Sequence, residues 1–137
     1  MAIHTTSVLI DADAQKVFEA LTQPELVSLW QFGRRVQSDW QAGHAIKFIA
    51  ESEGKVLEQW GTILEMRTNE LIKYNLFTPT PGIEDKIENY NVTSYILSTD
   101  NGQTKVELIQ EDNRPFGFTP ATLKPILVAL KKVVEGN

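Results

Sequence analysis

The chain has 137 residues, 42% of them hydrophobic and 23% charged, with a formal net charge of −5. That is the composition of one folded domain, able to bury roughly two-thirds of the surface its unfolded chain exposes, and too acidic for a general attraction to nucleic acid or anionic membrane. No cysteine is present, which excludes disulfides, thiolate nucleophiles and cysteine-ligated zinc.

Residues 3–10, IHTTSVLI, are β-branched and partly alternating, and predict a strand. Asp11 and Asp13 offer N-caps for a helix through AQKVFEALT, with Val17, Phe18 and Leu21 at helical spacing. Pro24 ends that helix and starts a short second one, PELVSLW, reaching Trp30. A turn at Asp39–Gly43 follows. The pattern then changes to period two. Residues 44–50 and 55–66 predict a strand pair joined at Glu51–Gly54, and a third strand covers 70–77 after a tight connection at Arg67–Glu70. The loop TPTPG runs into the charged stretch IEDKIEN. Strands at 89–98 and 103–111 flank Asp100–Asn101–Gly102, a strong hairpin signal. Thr119–Pro120 then predicts an N-cap and first helical residue, followed by an apolar stripe of Leu123, Ile126, Leu127, Leu130 and Val134 ending at Glu135. Pro125 falls near the first turns, where it predicts a slight bend.

The helices and strands are segregated along the chain, which predicts an α+β fold in a single domain spanning residues 1–137. A curved antiparallel sheet covered by the long C-terminal helix is the compact solution. No apolar run approaches the roughly 20 residues needed to cross a bilayer, and Asp11 and Asp13 arrive before a signal-peptide core could develop. The expectation is a cytoplasmic protein without membrane insertion.

The residues also resemble a known family. "DADAQKVFEALTQPELVSLW" is similar to the opening of the START-like (SRPBCC) superfamily, with its helix-grip fold, and most of all to the branch related to activators of the heat-shock ATPase chaperone, the AHSA-like group. The matching positions are Val17–Phe18–Glu19–Ala20–Leu21–Thr22, then Gln23–Pro24–Glu25, then Trp30. "SDWQAGHAIKF", "GTILEMRTNELIKYNL", "NGQTKVELIQED" and the closing leucine-rich helix resemble the family's later segments in the same order. Two departures stand out: Leu29–Trp30–Gln31–Phe32 replaces an aromatic pair, and His44 breaks a double glycine.

Histidine is the usual acid–base side chain near neutral pH, so His44, with Asp39 five residues earlier to orient it, is the first pair to weigh for catalysis. The simpler reading makes Asp39–Gly43 a turn and His44 the first residue of a strand, and His4 a surface residue of the first strand. Two distant histidines do not make a metal site, and Glu84, Asp85 and Glu88 read as a solvated face. No serine sits in a nucleophile-elbow motif, and no glycine-rich loop opens a helix. No catalytic residue, metal or cofactor is therefore assigned.

An aromatic and aliphatic set remains. Ile46 and Phe48 share one strand face, as do Trp60, Thr62 and Leu64, then Ile72, Tyr74 and Leu76, then Val106, Leu108 and Gln110; Tyr95 and Leu97 alternate with Ser94 and Ile96, and either face of that strand can be the inner one. All can face Leu123, Leu127 and Leu130. START-like proteins often hold apolar ligands between sheet and helix, so the resemblance implies a cavity for a small apolar molecule there. Trp30, Phe48, Trp60, Tyr74, Tyr95, Leu123 and Leu127 are the expected lining, with Trp60, Tyr74, Tyr95 and Gln110 as polar handles. The alternatives are a module that docks a chaperone, a START-like cyclase or hydrolase, and a homodimer whose apolar surface is an interface.

Overall fold

The computed structural model describes residues 2–112 and 120–136. The first strand, β1 (Ala2–Ile10), leads into helix α1 (Ala14–Thr22). Of the two candidate caps, Asp13 acts: its Oδ1 accepts from the Lys16 N–H at 2.9 Å. Asp11 instead donates its backbone N–H to Glu135 Oε2 at 2.8 Å, tying the chain to the end of the last helix. Helix α2 (Pro24–Trp30) opens on its proline. Six further strands follow: β2 (Arg35–Ser38), β3 (Ala45–Ser52), β4 (Lys55–Arg67), β5 (Leu71–Leu76), β6 (Asn91–Asp100) and β7 (Gln103–Asp112). Helix α3 (Pro120–Glu135) closes the fold and runs through Pro125. The expected cap at Thr119 lies outside the described residues.

The strands form one antiparallel sheet in the order β1-β7-β6-β5-β4-β3-β2, and α3 packs over its concave face, which is the helix-grip arrangement. Strand β2 is not predicted by the sequence reading. RVQS carries one apolar residue, Val36, and the strand exists through its pairing with β3. Two hairpins carry consecutive left-handed residues, Glu53–Gly54 and Asn101–Gly102, the two-residue turn whose twist matches that of the flanking strands.

Register decides which side chains look inward. Ile63, Tyr74, Thr93, Gln110 and His4 lie in one cross-strand row, and Ile72, Tyr95, Leu108 and Thr6 in the next. Ile72, Tyr95 and Leu108 of the second row and the buried Leu97 and Val106 beyond it belong to one core with Leu123, Leu127, Leu130 and Val134 of α3. Helices α1 and α2 add Val17, Leu21, Val27 and Trp30 to the same core.

On β4 the inward residues are Gln59, Gly61 and Ile63, not Trp60, Thr62 and Leu64. Ile63 pairs with Tyr74 and is fully buried, whereas Leu64 bulges out of register and is 43% exposed. The larger apolar residues of this strand face outward, so hydrophobicity points to the wrong face. Gly61 is needed where β4 and β5 come closest. A Cβ there would stand 1.8 Å from the Asn75 carbonyl oxygen. Asn75 Oδ1 meanwhile accepts the Thr62 N–H at 2.8 Å, so a side chain fills a break in the ladder.

The outward Trp60 has its own role. It stacks on Phe77, which stacks on Tyr90, with centroids 5.6 and 5.4 Å apart. Asp85 accepts from Trp60 Nε1 at 3.1 Å and from the Tyr90 hydroxyl at 2.5 Å. This cluster pins the long 77–90 connection to the outer face of the sheet.

Candidate functional site

Where the polar row of the sheet meets the open side of α3, the core is incomplete. A cavity of about 320 Å³ lies there. Leu76 and Leu108 from the sheet and Leu123 and Ile126 from α3 supply its apolar walls. Tyr74, Asn91, Thr93, Tyr95 and Gln110 supply a buried polar face, and Gln31, Phe32, Arg34 and Gln59 form the wall below α2.

Period-two alternation places the polar face. Tyr74, Thr93 and Gln110 sit side by side on β5, β6 and β7. Gln110 Nε2 donates to Thr93 Oγ1 at 3.0 Å. The Tyr74 hydroxyl meets those of Thr93 and Tyr95, and Tyr95 in turn meets Gln31. Burial pushes the Tyr74 phenol up to about 12, partly offset by the positive charge of Arg34. Burial likewise pushes Tyr95 well above the usual phenol value, and the neighbouring Tyr74 adds to that rise. Both hydroxyls are neutral at physiological pH. Asn91 is 2% exposed, and its Oδ1 has no hydrogen-bond partner among the described residues.

Arg34 is the charged group of this wall. Its guanidinium donates to Gln59 Oε1 and Gln31 Oε1 and lies 4.6 Å over the Phe48 ring. Gln59 passes the chain on, donating to Thr78 Oγ1 at 2.8 Å. Arg34 and Gln59 also line a second, more open cleft of about 670 Å³, bounded by Ala50, Val56, Leu57, Trp60 and Pro79. The pair is thus a partition between two spaces. Phe32 stands at the rim of the inner cavity, 72% exposed and at a left-handed φ of 56°.

Of the seven residues expected to line a pocket, Tyr74, Tyr95 and Leu123 line the inner cavity. Trp30, Phe48 and Leu127 do not. Trp30 is buried with its Nε1 on the Ala20 carbonyl at 2.7 Å and its ring edge-on to Tyr95, 5.9 Å between centroids. Phe48 backs Tyr74 at 5.8 Å and supports Arg34. Leu127 is fully buried in the core. Trp60 is on the opposite face of the sheet, for the register reason given above. Leu127→Trp is therefore expected to overpack the core and destabilise the fold by about 1–3 kcal/mol, measured by urea unfolding. A fully stable variant would mean that space adjoins Leu127.

Sequence reasoning passed over Gln31, Arg34, Gln59, Asn91 and Thr93. Polar residues on strands read as solvent-facing, and only the strand register shows that Gln59 and Thr93 point inward. The one available signal was the pairing of Thr93 with Gln110, both at inward parity with Tyr95 and Leu108.

The pair weighed for catalysis does come together. His44 Nδ1 and Asp39 Oδ2 are 2.6 Å apart, with both side chains about half exposed. Asp39 Oδ1 also accepts the Gln41 N–H at 3.1 Å. The His44 hydrogen bond holds the Asp39 carboxyl below its ordinary value. This pair closes the turn into β3 and lines neither space described above. His4 shares the cross-strand row of Gln110 but does not line the cavity.

A curved sheet gripping a C-terminal helix around a part-polar cavity defines a helix-grip domain of the START-like class. The family model described as "Activator of Hsp90 ATPase homolog 1-like protein" matches residues 11–122, and the chain belongs to that family. A solution structure of a Cytophaga hutchinsonii protein is 34% identical, with 99% of this chain and 95% of that one covered, at a TM-score of 0.83. A Chromobacterium violaceum protein is 20% identical over 98% of both chains, at a TM-score of 0.77. The structure described as the Aha1 dimer from Colwellia psychrerythraea is 18% identical, covers 98% of this chain and 97% of that one, and has a TM-score of 0.73. No curated protein matches the sequence. Among the described residues no helix is long and apolar enough to cross a membrane.

Proposed function

We propose that this chain binds a small, largely apolar ligand between the sheet and α3, and that it holds the ligand without transforming it. One observation carries the reading: a cavity of about 320 Å³ with leucine and isoleucine walls and a buried face of tyrosine, threonine and glutamine. Small-molecule sites have this make-up, apolar surface with a few fixed polar groups, and volumes from roughly 300 Å³ upward. Close packing is the rule in interiors, and buried hydroxyls and amides facing a space are costly unless something polar meets them. The neutral tyrosines act as donors and acceptors for the ligand rather than as acids.

Native mass spectrometry of protein purified from its own host, followed by denaturing extraction, is expected to release one compound at near one-to-one stoichiometry. Ile126 lines the cavity and is only half-buried, so Ile126→Trp is expected to fill the space, leave the fold intact and abolish that mass increment. A folded Ile126→Trp protein that carries the compound as before would place the ligand elsewhere.

A second reading, docking of a chaperone, follows from the family's description and from the exposed Leu29 near the end of α2 and Phe32 just beyond it, 64% and 72% accessible. Capture of a heat-shock ATPase that Leu29→Ser with Phe32→Ser abolishes is its expected result. Capture that survives both changes would count against this surface.

A further inference from the structure

We infer that the ligand is a small amphiphilic anion, a carboxylate or similar acid, whose head group is taken by Arg34 and whose apolar body lies against Leu76, Leu108, Leu123 and Ile126. The inference rests on the reading that the inner cavity holds a ligand, and it names the ligand's class.

Arg34 is the first reason. Withdrawing a guanidinium from water is costly unless it is paired and hydrogen-bonded. Here it is held by two neutral amide oxygens, Gln59 Oε1 and Gln31 Oε1, and by the face of Phe48. No salt bridge to Arg34 occurs among the described residues. The nearby acid of the outer cleft, Glu58, is paired with Lys47 at 3.5 Å. The amides orient the guanidinium without neutralising it. Arginine has five N–H donors in a planar fork, and two amide oxygens leave some of them to meet an acid.

The direction of the field is the second reason. The charge of Arg34 reaches both Tyr74 and Tyr95 on the cavity floor. The cavity is therefore positive at the Arg34 wall and apolar at the α3 wall. A molecule with one anionic end and one hydrocarbon end matches that polarity, and a cation or a wholly apolar molecule does not. Asn91 adds a buried amide whose oxygen is unpartnered among the described residues of the same lining. It suits a ligand that carries a hydroxyl or amide donor as well as its acid.

Calorimetric titration with octanoate, 1-octanol and octylammonium tests this on the intact protein. Octanoate is expected to bind roughly ten-fold or more tightly than octanol, as a charge-assisted hydrogen bond predicts, and octylammonium more weakly than either. Arg34→Met is expected to erase the octanoate preference, so that octanoate binds no more tightly than octanol. Gln59→Glu, which places a carboxylate on Arg34 without removing it, is expected to do the same and covers the case where Arg34→Met fails to fold. Equal octanoate and octanol affinity in the unaltered protein, insensitive to both variants, overturns the anion assignment and leaves the ligand-binding reading standing. No binding of any of the three at millimolar concentration, with Ile126→Trp indistinguishable from the parent, overturns both.

Discussion

Gly61→Ala is expected to cost about 3 kcal/mol or more, or to prevent folding. The new Cβ would lie 1.8 Å from the Asn75 carbonyl oxygen and 2.6 Å from its carbonyl carbon. Those are backbone atoms, so no rotamer change relieves the clash, and β4 and β5 must separate. Overpacking in a well-filled site costs about 1–3 kcal/mol when side chains can shift, and here they cannot. Separation would also break the Asn75 bridge to the half-buried Thr62 N–H. Gly54→Ala is the control. Gly54 has a left-handed φ of 78° but open space around it, so alanine there is expected to cost only about 1–2 kcal/mol of backbone strain. Urea unfolding of the two variants checks this. A smaller loss at Gly61 than at Gly54 would mean that β4 and β5 do not approach so closely.

Alkaline titration should report the buried face of the cavity. Tyr74 rises from 10 to about 12, mainly through burial, and Tyr95 rises well above 10 for the same reason. A phenol whose folded-state value is raised stabilises the fold fully below the unfolded value of 10. That contribution is lost as pH climbs from 10 to about 12. For Tyr74 the loss is about 3 kcal/mol, and Tyr95 adds to it. Stability is expected to be flat up to about pH 9.5 and to fall steeply above pH 10. Absorbance of phenolate in the native protein should lag that of urea-unfolded protein by more than a pH unit. Tyr74→Phe should flatten the fall, because phenylalanine does not titrate. Native tyrosines that all ionise near pH 10 would show the cavity floor to be open to water. The partner residues matter too: Tyr90 is also raised, by burial and by Asp85, but it lies on the outer face. Tyr90→Phe should leave the cavity residues unchanged and remove one component of the curve.

Much of the candidate site was legible as pattern and misplaced in detail. Tyr74, Tyr95 and Gln110 lie on strands with period-two character, although Asn75 and Ser94 on the other face of β5 and β6 are also buried, and all three face the cavity or its polar row. Trp60 defeated the same logic because β4 has glutamine and glycine inside and tryptophan outside. That reversal has a cause: Gly61 is small so that two strands can meet, and Gln59 is polar because it fixes Arg34 at a space rather than at packed core. Leu127 was expected at the cavity because it lies on the α3 stripe. The stripe spans more than one environment, with Leu123 and Ile126 reaching the cavity while Leu127 is sealed in the core.

The sequence by itself determined the order of the predicted elements, the hairpin at Asp100–Gly102, an aspartate cap before α1, and the amphipathic α3 that obliges the sheet to curve around it. Those are local matters, settled by spacing, by glycine and asparagine tolerance of positive φ, and by proline at a helix start. Only the tertiary structure decided the parity of β4, the existence of β2, the meeting of Gln31, Arg34 and Gln59 from distant segments, and the gap left beside Tyr74 and Asn91. Each depends on pairing or packing between residues far apart in the chain, and a one-residue change of register would have sent every one of those side chains to the other face.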